Sequence, residues 1–341
     1  MSLPIKKTYK PMEADLASEL PAGSEWQYEP KWDGFRCIAF RDGSKIEMLS
    51  KSQKPLTRYF PELVAGLAAL KAKQFVLDGE IVVPVNGNLS FDDLLQRIHP
   101  AASRIQKLSQ VTPCAFIVFD LLVDERGKNL AGLPLRERRK SLEAFMGKFV
   151  NEGRLMRLSP ATEDLRTARK WFRMGVGLDG IVAKREDLPY ASGERTAMQK
   201  IKKQRTADCV VGGFRYLEKK RLVGSLLLGL YNEKGLLDHV GYTSSILNAD
   251  RPALTKKLEK LIAEPGFTGK APGGLSRWST KHSMEWEPLQ NKLVVEVRFD
   301  HFAGGRFRHG TAFFRWRPEK TPTDCTLKQV QRENRSALDL I

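Results

Sequence analysis

The sequence lacks the spacings that staple or metallate a fold. Its four cysteines (Cys37, Cys114, Cys209, Cys325) lie far apart with no C-x-x-C pair, and its five histidines (His99, His239, His282, His301, His309) stand at no ligand spacing. Structural zinc and a disulfide framework are therefore not expected. Long apolar runs are also missing: none approaches membrane-spanning length, and the opening MSLPIKKTYKPMEADLA has no apolar core. A reducing, cytoplasmic setting away from membranes follows as the expectation. No G-x-x-x-x-G-K followed by Ser or Thr occurs, so a nucleoside triphosphate, if used, is not cradled in a P-loop. Gly175-Val176-Gly177-Leu178-Asp179-Gly180 does match G-x-G-x-x-G. It follows a helix and opens a strand, however, the reverse of a dinucleotide fingerprint, and reads as a helix stop and tight turn.

Acid is scarce beside base. Against 57 Lys and Arg stand only 40 Asp and Glu, a formal charge of +17 and a pI near 9.7. A basic surface of this size draws polyanions, nucleic acid first among them, and would place the protein with the nucleoid. The alternative on charge alone is a soluble basic protein with no such partner.

What is present suits two domains: 341 residues with 41% hydrophobic and 28% charged content. The first two hundred residues alternate strands with helices. Strands are predicted over 34–40, 75–83, 114–123 and 179–185. Helices are predicted over 59–72 (stripe Phe60, Leu63, Leu67, Leu70), 136–149 (stripe Leu142, Phe145, Met146, Phe149) and 162–174. Beyond 204–206 the texture changes to short strands at 209–214, 225–231, 236–242, 292–299 and 311–316. One helix interrupts them, with Asp250 as N-cap, Pro252 in its first turn and Pro265-Gly266 at its close. Such a set suits a small barrel of the oligonucleotide-binding (OB) type. The expected domains are 1–204 and 205–341.

Chemistry concentrates in a few boxes. Glu29-Pro30-Lys31-Trp32-Asp33-Gly34-Phe35-Arg36 sets a lysine ahead of a strand and beside Asp-Gly. Four fixed letters, K-x-D-G-x-R, arise by chance at roughly 10⁻⁵ per position. In Leu77-Asp78-Gly79-Glu80, alternation puts both acids on one strand face, which is costly unless they meet water, a cation or a metal. Asp179-Gly180-Ile181-Val182-Ala183-Lys184 repeats the theme. In Lys200-Ile201-Lys202 both ammonium groups point the same way. Any one box alone is compatible with a solvated strand end.

In this order the boxes resemble the covalent nucleotidyltransferases: DNA ligases, RNA ligases and mRNA capping enzymes. The chain looks most like the bacterial ATP-dependent DNA ligases of the small stand-alone ligase C type. The resemblance runs through Leu49-Ser50-Lys51, Tyr59-Phe60-Pro61-Glu62-Leu63, Phe119-Asp120-Leu121-Leu122 and the closing Phe314-Arg315-Trp316-Arg317-Pro318-Glu319-Lys320. It implies an α+β protein of two domains, an ATP-grasp-like adenylation core followed by an OB-fold β-barrel. It implies ATP as AMP donor, Mg²⁺ (or Mn²⁺) as metal and nicked duplex DNA as partner, with repair as the setting. A monomer is the default.

The same resemblance implies roles. Lys31 would take AMP as a phosphoramidate. A free lysine has a pKa of about 10.4, so neighbouring cations or desolvation must help it lose its proton. Lys200 and Lys202 would hold the α-phosphate, and Glu80 and Asp179 the metal, with Glu80 also near the ribose. Glu29 would flank the adenine pocket, Phe119 would stack on the base, and Lys184 would complete the nucleotide site. Arg36 and Lys51 would contact sugar or phosphate. Arg315, Arg317 and Lys320 would orient the pyrophosphate. Asp179 departs from the glutamate common in the family, Met198-Gln199 from the usual aromatic, and Glu319 from the usual aspartate. No helical DNA-binding, polymerase or nuclease module is recognisable, so the two domains would grip the nick themselves. Two alternatives stand beside it: an RNA ligase or capping-type enzyme, which would use the same lysine, and a non-catalytic OB-fold nucleic-acid-binding protein, against which the intact Lys31, Glu80, Lys200 and Lys202 argue.

Overall fold

The computed structural model describes residues 3–150, 155–174, 178–202, 205–273, 285–300, 302–308, 310–330 and 340. Contacts divide the chain into a unit of Met1–Lys203 with Glu333–Ile341 and a unit of Gln204–Arg332. The first carries strands β1 (Asp15–Ala17), β2 (Trp26–Trp32), β3 (Phe35–Asp42), β4 (Lys45–Ser50), β5 (Gln74–Val82), β6 (Pro84–Val85), β7 (Asn88–Leu89), β8 (Ala115–Val123), β9 (Met156–Leu158), β10 (Leu178–Arg185) and β11 (Met198–Lys202). Its helices are α1 (Pro61–Ala69), α2 (Phe91–Gln96), α3 (Ala102–Val111), α4 (Leu135–Phe149) and α5 (Leu165–Met174). Of the G-x-G-x-x-G letters, residues 175–177 lie outside the described residues.

Two sheets organise this unit. One runs β4-β3-β5-β8-β9, the other β1-β11-β10-β2. Both faces of the five-stranded sheet are covered, one by an apolar core and the other by a mixed apolar and charged layer. On one face Cys37, Ala39, Phe75, Leu77, Phe116 and Val118 pack with Phe60, Leu63 and Leu67 of the α1 region and with Leu142, Phe145 and Met146 of α4. Each large apolar side chain buried there contributes roughly 1.5–3 kcal/mol. On the other face Ile38, Phe40, Val76 and Leu122 meet Met12, Tyr190 and Met198. The four-stranded sheet alternates along its strands except at the start of β10, between Leu178 and Gly180. Trp26, Tyr28, Ile181, Ala183 and Ile201 pack with Ala168 of α5, and the residues between them point the opposite way.

The second unit carries β12 (Arg205–Leu217), β13 (Lys220–Tyr231), β14 (Leu237–Thr243), β15 (Glu287–Pro288), β16 (Val294–Phe299), β17 (Phe302–Ala303), β18 (Arg306–Phe307), β19 (Ala312–Trp316) and helix α6 (Arg251–Glu259). Its main sheet runs β14-β13-β12-β16-β19. A parallel bridge between Thr243 and Thr311 joins the two ends, with Thr243 Oγ1 donating to Thr311 O at 2.9 Å. That bridge closes the sheet into a barrel around Val210, Phe214, Leu226, Leu228, Val295 and Val297.

Two local expectations change. Asp250 precedes α6, but its backbone is helical (φ −84°, ψ −20°) and its carboxylate makes no capping bond. The helix stops at Glu259, short of Pro265-Gly266. Lys31 does not precede a strand: it lies within one, β2, which was not predicted.

Candidate active site

Register assembles the site. Across the four-stranded sheet Glu29 pairs with Val182 and Val182 with Lys200, while Lys31 pairs with Gly180 and Gly180 with Lys202. Glu29, Lys31, Lys184, Lys200 and Lys202 therefore issue from the face opposite α5. All five line one cavity of about 1120 Å³. Its other wall holds Arg36, Glu80 and Phe119 from the five-stranded sheet, and its rim holds Lys51 and residues 11–14. The sequence-predicted residues of the first unit thus converge, Asp179 joining through its contact with Lys31.

Lys31 Nζ donates to Asp179 Oδ2 at 2.7 Å, and Lys202 Nζ lies 3.6 Å from the same oxygen. Alternation alone would turn Asp179 toward α5. A bulge between Leu178 and Gly180 brings it to Lys31 instead. Only glycine fits beside it: Gly180 has φ +145°, and a Cβ there would sit 2.0 Å from Ile201 O. Gly34 is confined in the same way, its Cβ position falling 2.2 Å from Ile81 O. Lys200 Nζ donates to Ala14 O at 2.9 Å. Burial lowers its pKa, and Lys51, Arg195, Lys31 and Lys202 push it the same way.

Glu29 is buried and accepts twice on Oε1, from Gln27 Nε2 and from Lys184 Nζ, each at 2.8 Å. Lys184 Nζ also lies 4.6 Å from the centroid of Phe119, and the Arg36 guanidinium 4.3 Å from it. Arg36 departs from a simple phosphate contact. Its Nε and Nη2 both donate to Asp78 at 2.6 Å, which leaves Nη1 for any ligand. Asp78, fully buried, also accepts from the Tyr190 hydroxyl. Burial would drive Arg36 toward neutrality, but the Asp78 charge and hydrogen bonds outweigh it and hold the cation. The costly acid pair of β5 is thus resolved unequally: Asp78 is spent on Arg36, and Glu80 faces the cavity.

Burial pushes Glu80 up to about 7, against the lowering pull of Arg36 and Lys31. A carboxyl so poised is eased by an added cation. Among the described residues no three His, Cys, Asp or Glu side chains are grouped so as to hold a metal ion by themselves. Glu80 and Asp179 are two hard oxygen donors, which fits Mg²⁺ sharing its shell with phosphate and water rather than a closed protein cage. Lys51, half exposed, pairs with Glu13 at 3.1 Å.

The remaining predicted residues belong to the second unit. Arg315 donates to Glu296 at 2.7 Å and Lys320 lies 3.6 Å from Asp208. Arg317 bonds Asp208 at 2.8 Å, Glu296 at 3.1 Å and Glu319 besides. Within its own unit Arg317 is tied to three carboxylates, and Arg315 is the more exposed of the two. Gln27 and Tyr190 escaped the sequence analysis. Gln27 stands two residues before Glu29, a spacing that signals a shared face only once 26–32 is known to be a strand.

Residues 7–202 match the family model described as the ATP dependent DNA ligase domain, and residues 219–320 match the ATP dependent DNA ligase C terminal region. The chain belongs to the ATP-dependent DNA ligases. The ligase is 43% identical to DNA ligase C2 of Mycolicibacterium smegmatis over 97% of this chain and 96% of that one. It is 41% identical to DNA ligase C of Mycobacterium tuberculosis over the same shares. A solved structure from a study of Lig E DNA ligases has a TM-score of 0.57 at 15% identity, covering 90% of this chain and 99% of that one, a likeness of fold. The resemblance drawn from the motifs therefore holds for family and for fold. Among the described residues of the ligase no helix is long and apolar enough to cross a membrane.

Proposed function

We propose that this ATP-dependent DNA ligase forms its AMP adduct on Lys31 and seals nicks between a 5′-phosphate and a 3′-hydroxyl in duplex DNA. Lys31 Nζ attacks the α-phosphorus of ATP, the bond to the β-phosphate oxygen breaks, and pyrophosphate leaves. Asp179, at hydrogen-bond distance, suits acceptance of the Nζ proton. Lys200 and Lys202 offset the charge that builds on the α-phosphate oxygens. The nick's 5′-phosphate oxygen then takes AMP from Lys31, and the 3′-hydroxyl displaces AMP to join the strand.

Glu29 contacts the base, with Lys184 as its counter-ion, and Phe119 gives the base an apolar surface. Arg36 Nη1 and Lys51 contact sugar or phosphate. Glu80 and Asp179 would hold Mg²⁺, which supplies charge neutralisation at the phosphates. Adenylation chemistry is carried by Met1–Lys203. The unit Gln204–Arg332 contributes the barrel, with Arg315 and Lys320 as the cations it offers to phosphate. The ligase acts as a monomer on nicked DNA in the cytoplasm, in repair.

The observation that carries this reading is Lys31 paired with Asp179, whose same oxygen Lys202 also approaches, in a cavity that Glu29, Lys184 and Lys200 line as well. The test is incubation with α-labelled ATP or GTP and Mg²⁺, followed by nicked DNA or nicked RNA. Label should enter from ATP, disappear in Lys31→Ala, and be discharged by nicked DNA. An adduct that survives Lys31→Ala would overturn the assignment.

A further inference from the structure

Gln27 carries a role that none of the family motifs assigns. It stands on β2 directly opposite Lys184 of β10, and the two side chains converge on one atom, Glu29 Oε1, at 2.8 Å each. All three residues are at least nine-tenths buried. Two donors on one oxygen saturate it and stop the carboxylate from rotating. Glu29 Oε2 takes no donor from the described residues, yet it is not among the buried polar atoms left without a partner. It is therefore open to the cavity that Glu29 lines. On its far side Gln27 lines a second cavity of about 270 Å³ whose charges are mixed, with Arg136, Arg139 and Lys140 beside Glu143, Glu163 and Glu186. The amide is oriented by Glu29, with its oxygen turned away from that carboxylate. A flipped amide would set that oxygen against the Glu29 carboxylate instead.

We propose that Gln27 is a positioning residue for base selection: with Lys184 it locks Glu29 so that Oε2 presents a lone acceptor to an exocyclic amine, as on a 6-aminopurine. A 6-oxopurine offers an oxygen at that place and is repelled. Lys184 supplies the charge balance and Gln27 the direction. The inference rests on adenylation at Lys31 with Glu29 at the base.

The test compares ATP with purine riboside 5′-triphosphate, which lacks the 6-amino group, in the rate of lysyl-AMP-type adduct formation. Gln27→Met keeps length and apolar bulk but loses the donor. In that variant KM for ATP should rise about tenfold with kcat within twofold, while the deamino nucleotide should be unchanged. Equal loss with both nucleotides would mean that Gln27 only supports the strand, and no change with either would mean that it does nothing; both overturn the proposal. Should Gln27→Met form no adduct at all, Gln27→Asn, which keeps an amide, must retain part of the preference for ATP, or the proposal fails. Lys31→Ala run in parallel separates the two readings, since an adduct that persists there defeats the Lys31 assignment whatever Gln27 does.

Discussion

Lys31 Nζ and Asp179 Oδ2 lie 2.7 Å apart on neighbouring strands, joined by a bulge that only glycine at 180 permits. The ion pair is partly exposed on both sides, so its worth to stability is small. Its consequence for the adenylation proposed above is chemical: Asp179 is then the acceptor at hand for the Lys31 proton. Asp179→Asn should slow adduct formation by about 10², within the usual range for a positioned base. Rapid-quench measurement of labelled protein gives the rate, and a change below threefold would remove Asp179 from the proton path.

Asp78 holds Arg36 through two parallel hydrogen bonds in a fully buried position. Removing one partner of such a pair strands the other charge. Asp78→Ala should therefore destabilise the first unit by about 3–5 kcal/mol. Urea denaturation compares the variant with the parent protein, and a cost under 1 kcal/mol would show that water reaches Arg36 freely.

Glu80 is pushed up to about 7 by burial, above its ordinary value of 4.5. A raised carboxyl favours the protonated folded state. Its stabilisation is complete below the ordinary value and is lost as pH rises through about 7. The loss is on the order of 3 kcal/mol at most. Between those pH values the parent protein should weaken relative to Glu80→Gln, with no further divergence above 8. Denaturation midpoints at spaced pH values decide it, and parallel curves would refute the burial argument.

His239 in the second unit behaves in the opposite sense. Burial first, then Arg306 and Arg215, lower it from 6.5 to about 4, and its Nε2 has no hydrogen-bond partner among the described residues. The folded state keeps it neutral. Stability is whole above 6.5 and falls as pH drops toward 4, by an amount on the order of 3 kcal/mol. His239→Phe can keep the edge contact with Phe267 and should flatten that acid limb. Thermal unfolding between pH 4 and 7 reads this directly, and an unchanged slope would point to other groups.

Much of the site was legible because strands translate sequence spacing into direction. Lys200 and Lys202, two apart, share a face in the sequence and in the fold. The segment around Lys31 was harder. Lys31 reads as lying ahead of a strand and beside Asp-Gly, and only pairing with β10 places it within one. Asp78 and Glu80 have the same letter class and the same parity. Nothing local says that one meets Arg36 and Tyr190 while the other faces a cavity.

What the sequence by itself determined was the chemical inventory, its order and the family: a lysine beside Asp-Gly, acids at 80 and 179, lysines at 200 and 202, and a barrel-like second half. Local spacing and residue type carry that information. Only the tertiary structure decided the pairings. The bulge turns Asp179 onto Lys31, cross-strand register sets Gln27 and Lys184 on the same oxygen of Glu29, and a buried aspartate takes two of Arg36's donors. Those choices rest on contacts between residues as many as 155 positions apart, which no local pattern encodes.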